Sequence, residues 1–402
     1  MSESFLPYGR QVIGDDDVDA VARVLRGDFL TTGPEVPAFE AEFTRWHGGA
    51  VESVACNSGT AALHLALDAL GVGQGDVAIV PSVTFMATAN AARYCGAEVV
   101  FADVDAETGL MTPDTLDAAL RRAGERFPDA RVGAVLPVHY AGLPCDLEAL
   151  YARCRQIGAV LVADSCHALA SRWTDSAGES RLVGDAGYCD AATFSFHPVK
   201  TLACGEGGMV TTRHEAAAEA MRRRRSHGIE REPAKMREAR AGDWPWYHEL
   251  HELGWNYRLP DINAALGRSQ LAKLSRFAAR RRELTALYEE ALKPLAPLVQ
   301  PPAGRDGTDP CRHLMNVRID FDAAGPARET VMERLKNRGV GSQVHYIPVH
   351  TQPYYVDRYG RERLAGAERY YQRTLSLPLY PAMQDGDPAR VCAALGEALE
   401  LA

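Results

Sequence analysis

The chain has 402 residues, 46% hydrophobic and 24% charged, with a net charge of −9. That length can bury a core large enough for two units, the apolar fraction excludes extensive disorder, and the acidic surplus argues against nucleic acid as a partner, because no global basic field draws in phosphate backbones. Nine cysteines without a C-x-x-C pair fit reduced thiols in a cytoplasmic protein.

The opening residues have no basic region followed by an apolar core, and no apolar run approaches the ~18 residues of a membrane span, so neither a signal peptide nor a transmembrane helix is expected. Val18, Val21, Ala22, Val24 and Leu25 recur at helical spacing and predict a first helix over 15–26. The loop 30–34, which contains Thr32, leads to a second helix over 36–47. Residues 54–60 read as a short strand that gives way to a turn, followed by a helical run over 61–70. Ser58, Gly59 and Thr60 at that helix start offer free backbone N–H groups and a hydroxyl, as a phosphate requires; Ser and Thr there also serve as ordinary N-caps.

Strand-like runs at 77–80, 98–101, 133–136 and 159–162 then alternate with helical runs at 84–94, 113–122 and 147–157. This alternation, with continuously apolar strands, predicts an α/β fold built on a mostly parallel sheet covered by helices on both faces. Ligands of such sheets lie at the carboxyl ends of the strands, where residues 58–60, Thr84 with Phe85, and the run 164–167 all fall. Asp164 ends the most apolar strand, where an acid is costly unless it meets a cation or donor; a pyridinium nitrogen would be such a partner. His167 could hydrogen-bond a cofactor ring or orient the acid, or be a satisfied core histidine.

The stretch 193–208 sets Lys200 between an apolar strand and a glycine-rich turn, with 209–212 as a returning strand. Such a hairpin pushes the lysine into a cleft, and an apolar cleft wall lowers its pKa, which favours Schiff-base chemistry with an aldehyde cofactor. The basic run 222–225 lies on a helical stretch and reads as a solvated or substrate-facing surface. Residues 230–246, charged and broken by Pro233, Gly242 and Pro245, read as a mobile excursion. A long helix is predicted from Pro260 to about Leu292, then a strand at 313–319, a helix at 328–338, a strand at 341–347 and a terminal helix from Asp387. The run His248-Glu249-Leu250-His251 fails the zinc pattern H-E-x-x-H because 252 is Glu, and no phosphate-loop, dinucleotide or G-x-S-x-G signature occurs; no metal is expected.

Asn57-Ser58-Gly59-Thr60, Phe85, Asp164 with His167, residues 195–200 followed by 205–208, and Gly254-Trp255-Asn256-Tyr257-Arg258 together resemble the successive motifs of the DegT/StrS sugar-nucleotide aminotransferases over nearly the whole chain. The resemblance implies a fold-type I pyridoxal phosphate enzyme, with a large cofactor-binding domain on a mostly parallel seven-stranded sheet (1–255) and a smaller C-terminal α/β domain reached through a long helix (256–402). It implies that Lys200 carries pyridoxal 5′-phosphate and then shuttles a proton between substrate carbon and cofactor C4′. Asp164 would pair with the pyridinium nitrogen, Phe85 would stack on the ring and His167 would sit against it. Ser58, Gly59, Thr60, Ala61 and Ser195 would hold the phosphate, joined by Asn256 from the neighbouring subunit of a homodimer. The polar stretch 174–181 lengthens the Asp164-to-Lys200 interval relative to the family and reads as a loop.

A finer resemblance, carried by the opening 5–11, residues 195–200 and the run 343–355, is to the aminotransferases that act at C4 of UDP-linked 4-keto-6-deoxy-N-acetylhexosamines on the way to pseudaminic acid. The 4-amino-arabinose aminotransferases share much of this pattern. The resemblance implies L-glutamate as amino donor and a UDP-linked ketosugar as acceptor, with Tyr8, Arg10, Thr32, His345, Tyr346 and His350 on the substrate side; for His345 and His350 a purely structural strand pair is the alternative. A non-catalytic cofactor-binding regulator and a 3-dehydratase, in which histidine replaces the lysine, are both disfavoured by Lys200.

Overall fold

Seven strands form the central sheet of the chain, which a computed structural model describes over residues 5–238 and 244–401. They are β1 (Glu52–Cys56), β2 (Asp76–Pro81), β3 (Glu98–Ala102), β4 (Arg131–Val135), β5 (Val160–Asp164), β6 (Ala191–Ser195) and β7 (Gly208–Thr212), in the spatial order β1-β7-β6-β5-β4-β2-β3. Neighbours from β3 through β6 pair in parallel. β7 returns antiparallel to β6 and β1 is antiparallel to β7, so β7 alone opposes the rest. The strands are almost wholly buried because helices cover both faces of the sheet. Their carboxyl ends deliver residues 57–60, 82–85, Asp164 and Ser195 to one edge, which is where ligands of such sheets bind.

The helices that position this edge have identifiable starts. Ser58 caps α3 (Gly59–Ala69), its Oγ accepting from the Ala61 N–H at 3.1 Å. Thr112 caps α5 (Pro113–Arg126) with proline at its first turn, and Asp146 caps α6 (Leu147–Ile157), which ends at Gly158 in the left-handed region (φ 70°). α3 is buried along nearly its whole length and packs against β6 and β7, which fixes its N-terminus beside the end of β6.

A second buried cluster gathers Leu284, Tyr288, Leu292, Val317, Ile319, Leu375, Leu377, Val391 and Leu395 around a three-stranded antiparallel sheet, with Leu6 of the N-terminal arm among them. The bridging helix is not continuous. Asp261–Ala272 packs on the helices Asp15–Leu25 and Glu35–Trp46, and Leu274–Leu292 reaches the second cluster. The break falls at Lys273, whose N–H bonds back three residues to Gln270 (3.0 Å) rather than four, while its ammonium holds Asp16 and Asp17.

Three other expectations change. The predicted strand at 341–347 is a single bridge, Gln343 exchanging both backbone bonds with Ser376 (3.1 and 2.8 Å) before the chain turns inward to Pro348, which has no N–H to continue a ladder. The predicted loop at 174–181 is a hairpin of Arg172–Thr174 with Ser180–Leu182, joined by Thr308–Asp309; the Asp175 carboxylate closes it by accepting from the N–H groups of Ala177 and Glu179. The excursion at 230–246 has a paired base, Ile229–Glu230 against Glu249–Leu250; residues 239–243 of it lie outside the described residues.

The basic run 222–225 faces this chain's own acids instead of a ligand. Arg222 pairs with Glu52 (2.7 Å), Arg223 with Glu252 (3.0 Å), Arg224 with Asp68 and Glu252 (both 2.7 Å), and Arg225 with Glu40. Glu40 also accepts the Ala55 N–H of β1 (2.8 Å). Arg225→Ala therefore takes from a mostly buried carboxylate the nearer of its two cations, leaving Arg222 at 3.8 Å, and a destabilisation of at most roughly 3 kcal/mol is expected from the midpoint of urea unfolding. A midpoint within error of the wild type would return this run to the role of a solvated surface.

Candidate active site

Lys200 leaves the hairpin between β6 and β7 and lines a cavity of about 680 Å³ together with Ser58, Gly59, Thr60, Phe85, Asp164, His167, Ser195, His345, Tyr346 and Tyr8. Two glycines make this convergence possible. A Cβ on Gly59 would stand 2.8 Å from the Ser195 Cβ, and one on Gly208 would stand 2.2 Å from the Ser58 carbonyl oxygen. Only glycine lets the start of α3 close against the ends of β6 and β7. The first turn of α3 then opens its N–H groups to the cavity, although the Ser58 hydroxyl itself is engaged as the N-cap.

Asp164, at the end of β5, is 5% exposed. Its Oδ2 accepts from the Thr88 hydroxyl (2.8 Å) and its Oδ1 from the Cys166 N–H (3.1 Å). Among the described residues no ion pair engages it, so its charge is held by neutral donors and is open to a cationic ligand. Across the cavity, Lys200 is part-buried as a residue because it faces the void, but the walls screen its amine from bulk water. Burial lowers its pKa, while the nearby Cys166 and Asp164 oppose the shift. A lowered pKa makes the free amine, and with it nucleophilic and base chemistry, more accessible.

His167 has both ring nitrogens engaged. Nδ1 faces the Ala141 N–H (3.3 Å), which leaves the proton on Nε2 to be donated to the Tyr346 hydroxyl (3.1 Å). Burial, helped by Lys200 and His345, holds His167 well below the usual imidazole range. His345 bonds the Ser376 hydroxyl through Nδ1 (2.8 Å), its carbonyl accepts from Tyr140 (2.5 Å), and burial followed by Lys200 pushes its pKa down to about 3. Phe85 is 52% exposed and meets Tyr346 only at a tilt, centroids 5.9 Å apart, so one aromatic face is free for a planar ligand.

Some predicted site residues lie elsewhere. Ala61 is buried behind the helix start, offering its backbone only to Ser58. Arg10 and Thr32 are exposed and do not line the cavity, and neither does Asn256, which is exposed while its carbonyl accepts from the Asn57 side chain (3.3 Å). His350 is a correction: it is 3% exposed, packs against Phe101 and bonds Ser82 through Nδ1 (2.5 Å). The turn at Pro348 carries it behind β2, where it braces the fold, so the structural alternative holds for it. Sequence reasoning missed Thr88 and His313. Thr88 had one signal, a hydroxyl in the first turn of the helix after Phe85; His313 had none.

Residues 11–396 match the DegT/DnrJ/EryC1/StrS aminotransferase family, and the chain belongs to it. Spore coat polysaccharide biosynthesis protein SpsC of Bacillus subtilis (strain 168) is 38% identical over 386 residues, 95% of this chain and 94% of that protein. Among solved structures, the aminotransferase TlmJ from Streptoalloteichus hindustanus matches with a TM-score of 0.85 at 30% identity, covering 99% of this chain and 100% of that one. Helicobacter pylori PseC, an aminotransferase involved in the biosynthesis of pseudoaminic acid, matches with a TM-score of 0.86 at 26% identity over 99% and 100% of the two chains. The protein is thus a fold-type I aminotransferase that depends on pyridoxal phosphate. Among the described residues no helix is long and apolar enough to cross a membrane.

The buried histidines give the fold a pH dependence. His139 and His345 are pushed down to about 3, and His167 and His313 well below 6.5, all chiefly by burial. Their folded-state pKa values lie below those of the unfolded chain, so unfolding takes up protons. The resulting stability is fully present above the unfolded imidazole value and is lost as pH falls through and below it. The melting temperature should drop progressively between about pH 7 and about pH 5, before carboxylates titrate; a flat profile across that window would contradict these assignments.

Proposed function

We propose that this aminotransferase moves an amino group from L-glutamate to C4 of a UDP-linked 4-keto-6-deoxy-N-acetylhexosamine. The observation that carries the reading is the lining of the cavity: among the described residues around it none is arginine. An enzyme for ordinary α-amino and α-keto acids is expected to grip the substrate carboxylate with a planar guanidinium. The cavity also continues past Tyr8, Thr84, Phe85, His345 and Tyr346 into a further recess of about 240 Å³, room that a hydroxyl-rich sugar with a nucleotide attached would use. The names of SpsC, a polysaccharide biosynthesis protein, and PseC, on the way to pseudoaminic acid, agree with a sugar acceptor.

In this reading the residues present fit the cofactor. Asp164, steadied by Thr88, would pair with the pyridine nitrogen and keep it protonated; Phe85 would offer its free face to the ring and His167 would lie beside it. Gly59, Thr60 and Ser195 would receive the phosphate at the start of α3, while Ala61 would act there only through the N–H that holds the Ser58 hydroxyl. When bound, pyridoxal phosphate supplies an electron sink for the substrate carbon. Lys200 would hold the cofactor covalently and would then serve as the base and acid that moves the proton at that carbon. Asn256, exposed and off its own cavity, would reach the neighbouring subunit's phosphate in a homodimer, and Arg10 and Thr32 would belong to the outer mouth. The enzyme works in the cytoplasm, consistent with nine free thiols.

The test follows the colour of the cofactor-loaded protein. L-glutamate should bleach it, and only a UDP-linked 4-keto-6-deoxy-N-acetylhexosamine, besides 2-oxoglutarate, should restore it. UDP alone should bind in calorimetry, more weakly as salt rises. Restoration by a range of small keto acids, with no detectable UDP binding, would sink the sugar-nucleotide reading.

A further inference from the structure

Four histidines line the Lys200 cavity; His197 is exposed, and the three buried ones differ in how their ring nitrogens are used. His167 has both engaged and His345 has Nδ1 engaged, as described above. His313, 5% exposed, makes no ring hydrogen bond among the described residues, and its Nδ1 is shut away from solvent. Its ring lies against that of His167, centroids 4.6 Å apart at 46°.

The backbone around His313 is held firmly for a residue that precedes a strand. Its N–H donates to the Ala141 carbonyl (3.0 Å), the same residue whose N–H meets His167. On the other side, the Arg281 guanidinium donates to the carbonyls of Arg312 (3.3 Å), His313 (3.4 Å) and Leu379 (3.0 Å). Arg281 is 1% exposed and has no carboxylate partner among the described residues. A buried cation is costly without compensation, and here it is compensated only by carbonyls that fix the turn carrying His313. Arg281 is therefore a positioning residue.

The ring's chemistry follows from where its proton can sit. A neutral imidazole has one N–H and one bare nitrogen, and a buried orphan N–H is rarer than an under-used acceptor. Nδ1, enclosed and unpartnered, is therefore the bare nitrogen, and Nε2 carries the proton on the side left to the cavity. We propose that His313 is a substrate-contacting residue of this aminotransferase, its Nε2–H donating to an oxygen of the substrate that enters beside Lys200. That donor does part of what a guanidinium would do in this arginine-free cavity. The acceptor is a carboxylate oxygen of the amino donor or a carbonyl or hydroxyl oxygen of the ketosugar, which share this chemistry. The inference rests on aminotransferase activity in this cavity and not on which sugar is used.

The experiment compares His313→Phe, which keeps ring stacking and bulk, with His313→Gln, which keeps an N–H donor. Cofactor absorbance and melting temperature establish that each variant is folded and loaded. One arm measures the concentration of L-glutamate, or of whichever amino acid bleaches the wild type, that gives half-maximal bleaching rate. The other measures calorimetric affinity for the UDP-linked amino sugar product. His313→Phe should weaken one arm by on the order of tenfold, the loss of one hydrogen bond, and His313→Gln should restore most of it; the arm that moves identifies the source of the oxygen. If His313→Phe does not fold, His313→Met replaces it in the same comparison. Wild-type behaviour of the donor-less variant in both arms, or equal impairment of the Gln variant, would overturn the proposal. A wild type that bleaches with glutamate but binds no nucleotide sugar would defeat the sugar reading alone, and the bleaching arm would still decide the role of His313.

Discussion

The site depends on one close approach of backbone to backbone. Where β7 begins, Gly208 lies so near the Ser58 carbonyl that a side chain would stand 2.2 Å from it, and Gly59 lies nearly as close to Ser195. These contacts dock the start of α3 onto the β6–β7 hairpin, so the open N–H groups of a helix and the lysine of the hairpin share one wall. Neither group has value for catalysis without the other: a helix start alone is an anion site of modest strength, and a lysine in a turn is ordinarily a solvated charge. Packing α3 almost wholly inside the large core holds them in register.

Charge in the cavity is arranged by the same packing. Asp164 is buried with two neutral donors, Lys200 faces it across the void, and the neighbouring histidines are kept neutral chiefly by burial. Placing more cations beside Lys200 would raise the cost of the charged amine but would also compete for Asp164. Neutral imidazoles and tyrosines avoid that competition while still supplying hydrogen bonds. The hydrogen-bonded path from Arg281 through His313, Ala141 and His167 to Tyr346 links the helix Leu274–Leu292 to the cavity, so the second cluster helps set the geometry at the sheet edge.

Much of this was legible in the residues because its signals are local. An acid closing an apolar strand, a lysine between a strand and paired glycines, and Ser-Gly-Thr at a helix start each declare their environment within a few positions, and the structure brings all three together. What was not legible is carried by contacts distant in sequence. The partners of residues 222–225 lie at Glu40, Glu52, Asp68 and Glu252, so a basic run that looks free is fully paired. His345 and His350 look equivalent in the chain, but the turn at Pro348 sends one into the cavity and the other behind β2. Thr88 and His313 carry no motif at all; their places follow from how α4 (Ala87–Tyr94) and the entry to the strand Met315–Ile319 pack.

The central claim is that the packing of this hairpin makes Lys200 the residue that holds the cofactor. Borohydride reduction of the cofactor-loaded protein, followed by protease digestion and peptide mass mapping, tests it most directly. The account predicts the reduced cofactor mass on the peptide containing Lys200 and nowhere else, and its absence from an otherwise folded Lys200→Ala variant. Cofactor mass on another lysine of the wild type, or undiminished labelling in the variant, would contradict it.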